Sequence, residues 1–154
     1  YFTQFNAFIA PYGLAEPFIL QLNQLCEVVS MNKGEVILKS GLKVNCIYFI
    51  CNGIVRNYIF TDNGEIKTYG FRIENMLVTG YGLHNYQNEY RAKVSVECLE
   101  DCTMIKIPLS ALKILEENSS VSQKVARHLA ENHVLGLVDF IIDVDTKSAV
   151  YKLF

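Results

Sequence analysis

The chain has 154 residues, which suits one domain, or one domain with an appendage. Hydrophobic residues make up 51%, ample for a packed core, and the net charge of -2 excludes a global positive field that would recruit nucleic acid. No apolar run reaches the roughly 18–20 residues of a membrane span, and no pattern of basic start, apolar run and small-residue cleavage site occurs.

The chain opens on Tyr1 rather than Met, so its natural start is expected to be missing. Glu16 and Pro17 then suit a first helical turn, and Leu14, Phe18, Leu22 and Leu25 recur at helical spacing. A helix is expected over residues 16–25, followed by a strand over 26–31.

Next comes a ladder of glycines: Lys33-Gly34-Glu35, Gly41, Asn52-Gly53 and Asp62-Asn63-Gly64-Glu65. Each glycine ends a short run rich in Val, Ile, Leu, Phe or Tyr. Glycine accepts positive φ at little cost, so such positions mark tight turns between strands. Strands are expected over 35–39, 46–51, 54–61 and 65–72. The nearly unbroken apolar run Cys46-Ile-Tyr-Phe-Ile-Cys51 suits a strand buried on both faces. Asn63-Gly64 predicts a hairpin in which both central turn residues take positive φ. A second hairpin is expected from strands 90–98 and 103–108 around the acidic turn Glu100-Asp101.

Residues 74–89 show no clean period and read as a long irregular insertion, the kind of segment that often carries function. A short helix over 110–117 follows. A second helix should run from Ser119-Ser120 to about 143, roughly 36 Å long for 24 residues. Val121, Val125, His128, Asn132, Leu135, Asp139 and Ile142 recur along it at steps of three and four, and Leu129 and Val138 widen the stripe. A stripe with a polar Asn132 suggests a parallel partner helix, because a single polar core position can fix register. The alternative is a helix packed wholly on its own sheet. Residues 147–154 look like the start of a further amphipathic helix without a cap, as in a truncated chain.

The five cysteines, Cys26, Cys46, Cys51, Cys98 and Cys102, are odd in number and contain no CxxC. This argues for reduced thiols in a cytosol, acting as small buried hydrophobes. A redox or iron–sulfur role would need ligand spacings that are absent. His84, His128 and His133 are scattered, and none lies on an expected barrel strand. A cupin-like metalloenzyme would need clustered His and Glu ligands from two strands, so no metal site and no catalytic residue are expected.

The residues Lys33-Gly34-Glu35-Val36-Ile37-Leu38, Gly41, the run Ile47 to Arg56, Asp62-Asn63-Gly64-Glu65, Leu99-Glu100-Asp101-Cys102 and the long helix together resemble the sensor domain of Crp/Fnr-type transcription regulators. That group is a branch of the cyclic-nucleotide-binding-domain superfamily, and the likeness covers about residues 17–145. It implies a mainly β fold with flanking helices: a double-stranded β-helix, or jelly-roll-like β-roll, then a long dimerisation helix. It also implies a winged helix-turn-helix that binds DNA, absent from this chain. The expected division is a β-roll with its N-terminal helix over 1–118, the dimerisation helix over 119–145 and the start of a further domain over 146–154.

In nucleotide-binding members of the family, a phosphate-binding cassette carries Gly-Glu, then Arg with a small hydroxyl residue. The glutamate accepts from the ribose hydroxyl and the arginine forks onto the cyclic phosphate. Here the Gly-Glu position reads Val78-Thr79, and the arginine region reads Tyr90-Arg91-Ala92-Lys93-Val94-Ser95. Loss of the carboxylate leaves the ribose hydroxyl unpaired, at a cost of about 1–3 kcal/mol, which argues against cyclic AMP. Arg91 and Lys93 remain candidates to hold another anion, or are solvated strand-end charges.

The resemblance thus implies a small-molecule site at Thr79, Gly80, Tyr81, Gly82, Leu83, Arg91, Ala92, Lys93, Ser95, His128 and Asn132. It implies a homodimer through Val121, Val125, His128, Leu129, Asn132, Leu135, Val138 and Ile142. The expected function is a cytoplasmic, non-enzymatic effector sensor of a transcription regulator. The alternative is a ligand-binding module that signals to a protein partner without DNA.

Overall fold

The computed structural model describes residues 1–81 and 91–116, together with 120, 123, 124, 127, 128 and 130. The chain begins with α1 (Phe2–Ile9), a 3-10 turn at Ala10–Tyr12 and α2 (Glu16–Leu25). Eight strands follow: β1 (Glu27–Met31), β2 (Val36–Leu38), β3 (Cys46–Asn52), β4 (Val55–Phe60), β5 (Ile66–Arg72), β6 (Leu77–Val78), β7 (Ser95–Cys98) and β8 (Cys102–Pro108). Helix α3 (Leu109–Glu116) closes the unit. Helix α2 has the bounds its periodicity predicts, with Pro17 in the first turn, where its missing N–H costs nothing. Helix α1 has no counterpart among the sequence expectations. Phe2, Phe5, Phe8 and Ile9 recur along it at helical spacing and join one core, with Phe5 and Ile9 buried.

Two antiparallel four-stranded sheets stack, in the orders β1-β8-β3-β6 and β2-β7-β4-β5. The strand pairs nest: β4 with β5, β3 with β6, β2 with β7 and β1 with β8. Pairs β3–β8 and β4–β7 join these into sheets. The result is one long two-stranded ribbon rolled up, the double-stranded β-helix that the family resemblance implies. All four ladder glycines, Gly34, Gly41, Gly53 and Gly64, adopt positive φ.

Burial divides along β3 by parity. Ile47, Phe49 and Cys51 join a core with Phe5, Ile9, Leu22, Ile105 and Ile107, between the first sheet and the helices. Tyr48 and Ile50 face the other way, into the space between the sheets, with Val55, Val78, Val96, Cys98 and Met104. A strand with a core on each side cannot show the polar–apolar alternation of a half-exposed strand, which is why its sequence is an unbroken apolar run.

Two expectations need correction. Strands β7 and β8 exist, but they do not form a hairpin. Strand β7 pairs with β2 and β4, β8 pairs with β1 and β3, and the turn at Glu100-Asp101 carries the chain from one sheet to the other. Short-range turn signals report a reversal, not which strand is then hydrogen-bonded. Strands β4 and β5 do pair, with Phe60 opposite Ile66. Their turn, however, has positive φ at Gly64 and not at Asn63. Gly64 N donates to Thr61 O at 2.9 Å, the geometry of a three-residue loop ending in a left-handed glycine.

The long helix falls mostly outside the described residues. Ser120, Gln123, Lys124, Arg127, His128 and Ala130 are helical.

Candidate ligand site

The expected site draws on residues 79–83, residues 91–95 and the long helix at His128 and Asn132; among the described residues, the roll brings 79–81 and 91–95 together. Strand β6 pairs with β3, Val78 opposite Tyr48, which anchors the start of the irregular insertion inside the roll. Gly80 follows, buried and at φ +60. Its carbonyl accepts from Lys93 N at 2.8 Å. A Cβ added there would meet the Leu38 Cδ1 at 3.1 Å and the Ala92 Cβ at 3.2 Å. Only glycine fits both the conformation and the space. Ala92 is tied in turn, donating to Leu42 O at 3.0 Å and accepting from Gly41 N at 2.7 Å.

Residues 91–95 alternate. Ala92 and Val94 are buried, Arg91 and Lys93 are exposed, and Arg91 pairs with Lys43 in an isolated bridge. The Arg91 guanidinium donates to Gly41 O at 3.0 Å. Ser95 is buried, its hydroxyl oxygen accepting from Ser40 N at 3.0 Å. Thr79 Oγ1 accepts from Tyr81 N at 3.2 Å. His128 packs edge-on against Phe8 and Tyr12, with ring centroids 5.9 and 5.6 Å away. Gly82, Leu83, Val121, Val125, Leu129, Asn132, Leu135, Val138 and Ile142 lie outside the described residues.

Two polar residues that the sequence reading passed over lie beside this crossing. Asn57, on β4 between Val55 and Ile59, is 3% exposed. Its Nδ2 donates to the Tyr81 hydroxyl at 3.2 Å. Arg72, which ends β5 directly opposite Val55, donates from Nη2 to the same hydroxyl at 3.0 Å, with its guanidinium 5.7 Å from the Tyr81 ring centroid. Gly70 sits opposite Asn57 and places no side chain over it. Tyr81 holds φ +58, a conformation costly for a bulky residue and associated with functional sites. The available signal was parity: Asn57 shares the interior-facing positions of β4 with Val55 and Ile59.

Cys26, Cys51, Cys98 and Cys102 are shifted in the direction that makes them poor nucleophiles and ligands. Burial, reinforced by the neighbouring Cys102, pushes Cys98 up to about 12 from an ordinary 9.0. Burial pushes Cys26 up to about 11 and also raises Cys51 and Cys102. All five cysteines are free thiols. Among the described residues no group of three or more His, Cys, Asp or Glu side chains is placed to hold a metal ion, and no helix is long and apolar enough to cross a membrane.

Comparison with known proteins agrees with this architecture. Residues 28–119 match the family model of the cyclic nucleotide-binding domain. The chain is 24% identical over 147 residues to electron transport regulator A of Shewanella oneidensis, covering 91% of this chain and 57% of that protein. It is 25% identical over 144 residues to the fumarate and nitrate reduction regulatory protein of Yersinia pestis, covering 93% and 56%. The chain therefore spans about half the length of these relatives. Among solved structures, the sensor domain of the transcriptional regulator DNR from Pseudomonas aeruginosa superposes with a TM-score of 0.71 at 15% identity, over 84% of this chain and 86% of that one. With a family match over more than half its length, a nested β-roll and regulators of this kind as its sequence relatives, the chain belongs to the cyclic nucleotide-binding domain family, in its Crp/Fnr-type branch.

Proposed function

We propose that the chain is the effector-sensing and dimerising part of a cytoplasmic transcription regulator, without catalytic activity. A small molecule bound in the β-roll is coupled through the long helix to DNA binding by a domain beyond this chain. In this reading residues 1–118 sense, 119–145 dimerise and 146–154 lead into the DNA-binding domain. The observation that supports it is the convergence of Thr79–Tyr81 with residues 91–95 at buried Gly80, against a polar cluster inside the roll. Coupling requires different affinities of the effector for two states of the helix pair.

Cyclic AMP is not the effector in this reading, because Val78-Thr79 offers no carboxylate to the ribose hydroxyl. Thermal-shift screening against cyclic nucleotides and common metabolites tests the sensor role. A ligand stabilises the fold by roughly 2.7 kcal/mol at a hundredfold excess over Kd. A hit that alters retention of promoter DNA by the full-length protein supports the coupling. A hit with no DNA binding by the full-length protein moves the reading to a module signalling to a protein partner. A cyclic AMP shift would overturn the argument from the missing carboxylate.

A further inference from the structure

The polar cluster inside the roll is incomplete, and what it lacks describes a ligand. Two polar residues are buried among the described residues, Asn57 and Ser95. Ser95 is engaged by Ser40. Asn57 is satisfied on one side only: Nδ2 reaches Tyr81, and Oδ1 is buried with no partner. Turning the amide over would exchange the two atoms and leave Nδ2 without a partner instead, so the deficit belongs to the site and not to the assignment. A buried polar atom left unpaired costs about as much as a hydrogen bond is worth, so such atoms need an explanation.

Arg72 is the second half of the argument. Its guanidinium is half-buried and donates to the Phe71 carbonyl and the Tyr81 hydroxyl, both neutral. Among the described residues the single carboxylate ion pair is Arg56 with Glu97, on the opposite face of β4. Thus a planar donor fork without a carboxylate shares one hydroxyl with a buried amide whose acceptor is unused. Simple coverage of the Tyr81 ring by Arg72 would explain the cation's position, but not the unmet amide oxygen. Arg91 and Lys93, by contrast, are exposed.

We infer that Arg72, Tyr81 and Asn57 form the recognition site for a small organic oxyanion that carries a hydrogen-bond donor beside its charged group. Arg72 takes the oxyanion, as its fork geometry favours. Asn57 Oδ1 accepts from a hydroxyl or amino group of the same molecule. Tyr81, held in the left-handed conformation three residues past β6, accepts from both side chains and ties the two together. This rests on the sensor reading above and specifies its ligand class. A carboxylate and a phosphate monoester both meet the chemistry.

The test is calorimetric titration of the chain with L-lactate, L-malate, L-serine and glycerol 3-phosphate, with propionate as the anion that lacks the donor. Saturable binding of at least one donor-bearing anion, at least about tenfold tighter than propionate, is expected, and the acids against the phosphate ester tell carboxylate from phosphate. Arg72→Gln should weaken that ligand at least about tenfold. Asn57→Leu, similar in volume, should bring it down to the level of propionate. In the wild-type protein, where folding of a variant is not at issue, the Asn57 side-chain amide resonances should shift saturably with the same ligand. Binding of none of the four anions, or unmoved Asn57 resonances, overturns the site. A neutral or cationic effector from the broader screen, insensitive to Arg72→Gln, overturns this inference and leaves the sensor role standing. Silence in both screens removes the sensor role itself.

Discussion

Gly53 and Gly64 both carry positive φ, yet they answer to different constraints. At Gly53, φ +115, an added Cβ would lie 2.9 Å from the Cys102 Cβ and 3.0 Å from its Cα. At Gly64, φ +78, it would meet nothing within 4 Å. Gly64→Ala should therefore cost only the left-handed penalty, about 1–2 kcal/mol. Gly53→Ala adds a clash with backbone that cannot swing away, and should cost about 3 kcal/mol or more. Urea unfolding midpoints of the two variants check the order, and equal losses would contradict the close approach. The thiols give a second prediction at this scale. Cys26 and Cys98 titrate higher folded than unfolded, so their neutral forms stabilise the fold fully below the ordinary thiol value of 9.0. That contribution is lost as pH rises from about 9 toward 11 and 12. Thermal melts should thus show no thiol-linked change between pH 6 and 8, and a fall above pH 9 that Cys98→Ala reduces.

At the scale of elements, β3 and β8 tie the unit together, because each faces both cores. Phe49 is fully buried, with Phe5 and Phe8 rings 5.2 and 5.0 Å from its own. Phe49→Ala should cost about 3–5 kcal/mol, measured by denaturant unfolding, and should loosen α1 through its lost ring partners. A loss under 1 kcal/mol would mean that α1 does not depend on this seam. Elements with one dominant pattern were legible in the sequence: α2 from its period and Pro17, β3 from its apolar run, the β4–β5 reversal from Asn63-Gly64. Helix α1 was legible too, in the helical spacing of Phe2, Phe5, Phe8 and Ile9, yet it was passed over. The partners of β7 and β8 were not legible, because pairing between residues distant in the chain, such as Tyr58 with Ser95 or Glu27 with Lys106, leaves no local mark. Within the site, the segments 79–81 and 91–95 were legible through the family pattern. Asn57 and Arg72 were not, since their meeting at Tyr81 depends on the rolling of the ribbon.

For the whole molecule, the proposed assembly through the long helix is open to a direct test. Leu135 lies on the stripe assigned to the dimer, and Leu135→Glu should shift the sedimentation profile toward monomer by placing an unpaired carboxylate in an apolar seam. An unchanged dimer would remove that role from the helix. The same variant should leave binding of an effector in the roll intact if the two functions are carried by separate parts of the chain.

The nesting of strand pairs also sets an order in time. Of the four nested pairs, only β4 with β5 is joined by a short turn, and every further pair encloses the one before, out to β1 with β8. Loop closure is cheapest at the inner turn, and each outer pair is brought within reach by the pair inside it. Folding is thus expected to run as a zipper from residues 55–72 outward, on the order of milliseconds to seconds, as for other chains dominated by distant pairings. In stopped-flow experiments Ile59→Ala on β4 should slow folding, whereas Val29→Ala on β1 should mainly speed unfolding. The reverse pattern would mean that the ribbon closes from its ends. A chain cut within β1 would then still begin to fold correctly, whereas one altered at Gly64 would hesitate at the first step.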